Sequence, residues 1–241
     1  MKAKTLLRLA EGTVLMAGIE LNANRAAWAC VVSESGREVK VRADREVEAI
    51  ILESLQQATP FPILTEERGW QAGQSTEPYL WVVDPLDGSF NYYNDIPVCC
   101  VSIALYHANK PVLGVIYDFN RHELFSAIVG EGAWLNRLPI HVSTVDDVRK
   151  AVLHASFPMT PEFISVAEQC RKVRMTGSAA LALAYIACGR ADCYHETRTQ
   201  FWDVAAGLAL VKAAGGAVHV IGEDVAARQT VYASNGKILL W

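Results

Sequence analysis

The chain has 241 residues, of which 51% are hydrophobic and 20% charged, and its net charge is −4. That composition excludes a disordered chain and allows one large domain or two halves sharing a core. The acidic balance and the lack of a long Lys/Arg run argue against a nucleic-acid partner, and no run reaches the ~18–20 apolar residues of a membrane span.

Residues 5–29 carry apolar side chains at helical spacing (Leu6, Leu9, Ala10, Val14, Ala17, Leu21), which predicts one helix broken near Gly18. Glu11 interrupts the apolar stretch, so the segment reads as an amphipathic helix and not a signal peptide. Residues 30–41 alternate, predicting two short strands about a turn at Glu34-Ser35-Gly36-Arg37. Asp44 is placed to cap the next helix, which continues with Val47, Ile50, Ile51 and Leu55. Phe61 to Thr65 is a short strand ending in Glu66-Glu67-Arg68-Gly69, and residues 70–79 are a polar loop.

The run Leu80-Trp81-Val82-Val83 is the next strand. Pro85 has no N–H and is expected to end it at Asp84. Strands follow at 98–106, 112–117 and 124–128, with a turn at Asn109-Lys110-Pro111 and another at Gly130-Glu131-Gly132. No helix pattern follows that Gly-x-Gly, which excludes a Rossmann reading. The middle of the chain therefore predicts a mixed antiparallel sheet.

Near Val142 the pattern changes, and strands alternate with helices: strand 151–156, helix 161–170, strand 173–175, helix 179–188, strand 191–195, helix 204–214, strands 218–221 and 231–234. The expected organisation is an α+β half over 1–141 and a smaller α/β half over 142–241, forming one functional unit. The six cysteines (Cys30, Cys99, Cys100, Cys170, Cys188, Cys193) form no Cys-x-x-Cys pair and read as free thiols of a reducing compartment. A soluble cytoplasmic protein is the expectation.

Four acidic positions share a setting. Glu66 and Asp84 stand where apolar strands stop, Asp87 follows in the next turn, and Asp203 opens a helix after Phe201-Trp202. A turn-forming role explains Asp84 and Asp87 singly, solvation explains Glu66, and capping explains Asp44 and Asp203. Taken together, the carboxylates would repel one another unless cations neutralised them. The set is all oxygen, without His or Cys, which points to Mg²⁺ and not zinc. Two-metal hydrolases share carboxylates between ions ~3.5–4 Å apart. Metal-assisted hydrolysis of a phosphate ester is the reaction this chemistry suits, with Gly88-Ser89 offering backbone N–H groups to a phosphate.

The segments Asp84-Pro-Leu-Asp-Gly-Ser89, Glu66-Glu67 and Trp202-Asp-Val-Ala-Ala-Gly207 together resemble the inositol monophosphatase family, over roughly Asp44 to Gly216. That family lies within the Mg²⁺-dependent, lithium-sensitive phosphatases and includes archaeal enzymes acting on inositol monophosphate and fructose 1,6-bisphosphate. The resemblance implies a layered αβαβα fold, usually dimeric. It implies two or three Mg²⁺ ions held by Glu66, Asp84, the Leu86 carbonyl, Asp87 and Asp203. Glu66 and Ser89 would position the attacking water, with Asp44 bonded to the Ser89 hydroxyl. Asp87, Gly88, Ser89, Gly177, Ser178, Ala179, Glu196 and Arg198 would meet the substrate, a small phosphate ester of a polyol or sugar.

The chain departs from the family pattern at Thr65 and Arg68, which flank the acidic pair, and around Glu196-Thr-Arg-Thr-Gln200. Lys40 and Arg42 are candidates for the family's N-terminal lysine loop. Arg68, Arg174 or Arg198 near the pocket would favour a doubly phosphorylated substrate, fructose 1,6-bisphosphate or 3′-phosphoadenosine 5′-phosphate. A non-catalytic regulatory protein on the same fold is a third reading, opposed by the intact acidic set.

Overall fold

Apolar side chains alternate along the central strand and so face two different helix layers. Trp81 and Val83 point one way, Leu80 and Val82 the other. The structure is a computed structural model that describes residues 2–35, 38–222 and 227–239.

Helices α1 (Ala3–Ala23) and α2 (Arg25–Trp28) lead into a ribbon of β1 (Val31–Ser35) and β2 (Glu38–Val41). The turn residues Gly36 and Arg37 lie outside the described residues. Then come α3 (Arg42–Ala58), β3 (Ile63–Thr65), β4 (Gly69–Gln71), β5 (Tyr79–Asp87), α4 (Ser89–Tyr93), β6 (Cys100–His107), β7 (Lys110–Asp118), β8 (Glu123–Ile128), β9 (Gly132–Leu135) and β10 (Leu138–Ile140). Strands β3 to β10 form one sheet in the order β10-β9-β8-β7-β6-β5-β3-β4, antiparallel except for the β3–β5 pair.

The chain continues through β11 (Val152–Ala155), α5 (Pro161–Ala167), β12 (Lys172–Arg174), α6 (Ala179–Ala187), β13 (Cys193–Thr199), α7 (Phe201–Ala213), β14 (Ala217–Ile221) and β15 (Gln229–Ser234). These strands form a five-stranded mixed sheet, β12-β11-β13-β15-β14.

Five layers result. Helices α1 and α3 pack on one face of the large sheet through Leu6, Val14, Val47, Ile51, Val83 and Ile103. Helices α6 and α7 lie between the sheets, burying Leu183, Ala206 and Leu210 with Val82, Ala104 and Ile116 on one side and with Tyr194, Val231 and Ala233 on the other. Helix α5 covers the far face of the small sheet through Phe163 and Ala167, against Leu153 and Cys193. The large sheet and the small sheet thus share α6 and α7, and the later part of the chain closes the core of the earlier part.

Five local expectations are corrected. Helix α1 runs unbroken through Gly18; a Cβ there would lie 2.6 Å from the Tyr117 ring, so glycine serves the close approach of helix to sheet. Asp44 is the third residue of α3, not its cap, and its Oδ2 reaches back to accept from the Val41 N–H at 2.6 Å. The hairpin turn after β6 is Ala108-Asn109, both with positive φ, and Pro111 lies within β7. The polar loop 70–79 begins with the end of β4, and β5 does not stop at Asp84.

Candidate active site

Strand β5 passes through Pro85 because a bulge lies there. Asp84 pairs with Ser102 and Asp87 with Cys100, so β5 advances three residues while β6 advances two. The extra residue tolerates the missing N–H of proline. It also changes parity: residues three apart on a regular strand point to opposite faces, whereas here Asp84 and Asp87 share the face of Ser102 and Cys100. The bulge turns an odd spacing into a pair of neighbouring acids.

Gly88 follows with φ +90°, and a Cβ there would lie 2.8 Å from the Val98 carbonyl. This left-handed residue starts α4 and presents Ser89. The Ser89 hydroxyl lies 2.6 Å from Asp44 Oδ1 and 2.9 Å from the Leu86 carbonyl, so its one proton has two acceptors.

Asp87 ties the end of β5 to the start of α6. Its Oδ2 accepts from the Ser178 hydroxyl and from the Ala180 N–H (2.8 Å), and its Oδ1 accepts from the Ala179 N–H at 3.3 Å. Gly177-Ser178-Ala179 is therefore drawn to the end of β5. Asp203, the third residue of α7, accepts through Oδ2 from Thr199 and from the Gln200 N–H, both at 3.0 Å. Among the described residues, none donates a hydrogen bond to Oδ2 of Asp84 or to Oδ1 of Asp203.

The Glu66 turn is held by cations and by a buried acid. Lys40 pairs with Glu67 and stands 3.7 Å from Glu66, whereas Arg42 pairs with Glu46 on the surface. Of the two candidates, only Lys40 reaches the site. Arg68 turns to Glu48, a fully buried side chain on α3, at 3.1 Å. Glu48 escapes sequence reading; the available signal is its position four residues after Asp44 on the apolar face of the helix.

The carboxylates act on one another. Burial, then Asp203 and Asp44, pushes Glu66 up to about 8. Burial, then Asp87, pushes Asp203 up to about 7. Asp84 is pushed well above the carboxylate range by burial and by Glu66, Asp87 and Asp203. Burial raises Asp44 to about 6 against its bonds from Ser89 and Val41, and burial raises Asp87 against its bonds from Ser178, Ala180 and Ala179. Acids separated by up to 159 positions (residues 44 and 203) thus share one electrostatic neighbourhood.

They border a cleft of about 930 Å³ whose walls include Lys40, Glu66, Glu196, Arg198, Asp203 and Arg228. An adjoining cavity of about 320 Å³ reaches Asp87, Gly177, Ser178 and Ala179, sharing Glu196 and Asp203 with the first. Glu196 accepts from the Tyr194 hydroxyl at 2.7 Å, and burial raises its pKa. Arg198 sits in the bulge of β13 with φ +62°, its carbonyl accepting from Arg228 at 3.0 Å. Arg68 and Arg174 do not line the cleft, because Arg68 faces Glu48 and Arg174 caps the Val173 carbonyl. Ser156, Tyr194 and Arg228 are site residues that the sequence does not single out.

The donor set suits a hard divalent cation. It is all oxygen and mutually repelling, and Asp84 and Asp203 each keep an oxygen clear of hydrogen bonds from the described residues. Among the described residues, no group of three His, Cys, Asp or Glu is closed enough to grip an ion by itself. Mg²⁺ keeps several waters and takes one or two carboxylates plus substrate phosphate.

Acidic side chains gathered from both sheets beside a polar cleft, next to a glycine-led helix start, are the equipment of a phosphoric monoester hydrolase. The chain belongs to the inositol monophosphatase family, whose model matches residues 3–239. It is 40% identical to the inositol-1-monophosphatase of Synechocystis sp. over 251 aligned positions, covering 98% of this chain and 86% of that protein. The Nus factor SuhB of Xylella fastidiosa is 40% identical over 78% of this chain and 71% of its own length. The solved structure of the inositol monophosphatase from Anabaena (Nostoc) sp. matches with a TM-score of 0.84 at 38% identity, over 97% of this chain and 92% of that one.

Proposed function

We propose that this chain hydrolyses inositol monophosphate with Mg²⁺ as its cofactor, at a site formed by Glu66, Asp84, the Leu86 carbonyl, Asp87 and Asp203. The observation that carries the reading is the shared neighbourhood of Glu66, Asp84, Asp87 and Asp203 at the edge of the cleft. When bound, two or three Mg²⁺ ions would neutralise the phosphoryl oxygens and make a water acidic enough to attack.

The protein's own groups do the rest. With its proton on Asp44, the Ser89 hydroxyl offers a lone pair to a water hydrogen and orients that water beside Glu66. The backbone N–H groups of Gly88 and Ser89 hold the phosphate, the geometry being set by the positive φ of Gly88. Gly177, Ser178, Ala179 and Glu196 meet the hydroxyls of the polyol, and Arg198 reaches the far side. The reading carries with it a cytoplasmic homodimer. Among the described residues, no helix is long and apolar enough to cross a membrane.

A second substrate reading has its own observation. The cleft is roomy, and Lys40, Arg198 and Arg228 stand in its wall, which favours a bisphosphate. Phosphate release from inositol 1-phosphate, fructose 1,6-bisphosphate and 3′-phosphoadenosine 5′-phosphate, each with and without Mg²⁺, separates the readings. Release that ignores Mg²⁺ on all three overturns both.

The raised carboxylates also set a pH dependence. Asp44, Asp203 and Glu66 keep their protons to about pH 6, 7 and 8 in the folded chain. Unfolded carboxylates release theirs near pH ~4. The stabilisation from these protons is therefore complete below pH ~4 and is lost as the pH rises through the folded values. In chelator, the melting temperature is expected to fall between pH 5 and 8, and Mg²⁺ is expected to offset the fall. Scanning calorimetry checks this; a flat profile in chelator contradicts it.

A further inference from the structure

Glu48 holds the Glu66 turn from beneath. Its Oε1 accepts from the Thr65 hydroxyl at 2.7 Å, the Glu67 N–H at 3.0 Å and the Arg68 N–H at 3.1 Å. Its Oε2 lies 3.1 Å from Arg68 Nε. These three partners bracket Glu66 in the turn joining β3 to β4. Thr65 and Arg68, the two departures from the family pattern that flank the acidic pair, are both directed at this one carboxylate.

The surroundings are apolar. Val47, Ile51, Leu52 and Leu55 of the same helix are buried. A buried carboxylate is costly unless it is paired and fully hydrogen-bonded. Here it supplies acceptors for two backbone N–H groups that an apolar side chain would leave without them. One turn earlier on the same helix face, Asp44 holds the Ser89 hydroxyl. Helix α3 therefore fixes, through two acids four residues apart, the separation between the Ser89 hydroxyl and the Glu66 backbone.

We propose that Glu48 is a positioning residue for the site: it sets Glu66 relative to Ser89, and Mg²⁺ affinity depends on it. The inference rests on the reading of the site as a Mg²⁺-dependent phosphatase. Its force comes from the convergence of three donors and one guanidinium on a single buried side chain that is not in the wall of either cavity.

The test uses the full chain, titrated with Mg²⁺ by calorimetry and assayed on inositol 1-phosphate, as wild type, Glu48→Ala, Glu48→Gln and Thr65→Val. Glu48→Ala is expected to weaken Mg²⁺ binding by about tenfold or more and to lower kcat by a similar factor. Glu48→Gln keeps an oxygen for Thr65 and the two N–H groups, so it is expected to stay within about threefold of wild type. Thr65→Val loses one donor and is expected to weaken Mg²⁺ binding about threefold. A purely structural role would lower the melting temperature of Glu48→Ala while leaving Mg²⁺ affinity unchanged, and that result overturns the inference. Should Glu48→Ala fail to fold, Thr65→Val decides: weakened binding supports the inference and wild-type affinity overturns it. Wild type that shows neither Mg²⁺ heat nor Mg²⁺-dependent turnover overturns the site reading itself, so the two failures are distinguishable.

Discussion

Asp84→Asn is expected to cut phosphate release from inositol 1-phosphate by about 10³-fold at saturating Mg²⁺, the equivalent of roughly 4 kcal/mol of transition-state stabilisation. The substitution is nearly isosteric. The Oδ1 that accepts from the Leu86 N–H at 3.0 Å has a counterpart in the amide, so the bulge in β5 survives. What disappears is one negative charge at the point where Glu66, Asp87 and Asp203 converge. Losing it removes an oxygen ligand and weakens the pull on a cation from every neighbour. Without a cation, burial and the neighbouring acids keep the wild-type carboxyl protonated, so the amide then replaces a neutral group. In chelator, the variant is therefore expected to melt at or above the wild-type temperature. Inactivity combined with undiminished stability separates a missing ligand from a damaged fold. An activity within tenfold of wild type contradicts the assignment of Asp84.

Ser89→Ala is expected to lower kcat by about 10²-fold while leaving Mg²⁺ binding within a few-fold of wild type, because orienting a water is worth roughly that much. Among the described residues, the Ser89 hydroxyl has Asp44 and the Leu86 carbonyl as its hydrogen-bond partners. Its removal leaves Asp44 bonded to the Val41 N–H, so the start of α3 keeps that bond. A fall in kcat with little change in KM or metal affinity would place the hydroxyl at the water. Equal loss of metal affinity and kcat would instead make it part of the cation site.

Much of this site is legible in the sequence because its chemistry is carried by charge and by element ends. Asp84, Asp87, Glu66 and Asp203 each stand where an apolar pattern breaks, and the structure brings them together. The layers are legible for a related reason: alternation along β5 and β6 and helical spacing in α1 and α3 declare which faces are buried.

What sequence reading misses depends on register and on backbone. Pro85 reads as a strand end, and only the pairing of Asp84 with Ser102 and Asp87 with Cys100 reveals a bulge that aligns the two acids. Gly18 reads as a break, whereas its role is set by Tyr117, 99 positions away (117 against 18). Glu48 is silent because two of its partners are backbone N–H groups, which carry no sequence signature. Arg68 reads as a cation for the substrate, but its side chain answers Glu48.

We propose that Asp203, delivered by α7, joins Asp84 of β5 in holding Mg²⁺ against a phosphoryl group. Calorimetric titration of Mg²⁺ into wild type and Asp203→Asn addresses it most directly. The expected result is saturable binding by wild type and binding at least about tenfold weaker in the variant, with both proteins folded. Equal Mg²⁺ affinity in the two would contradict the account.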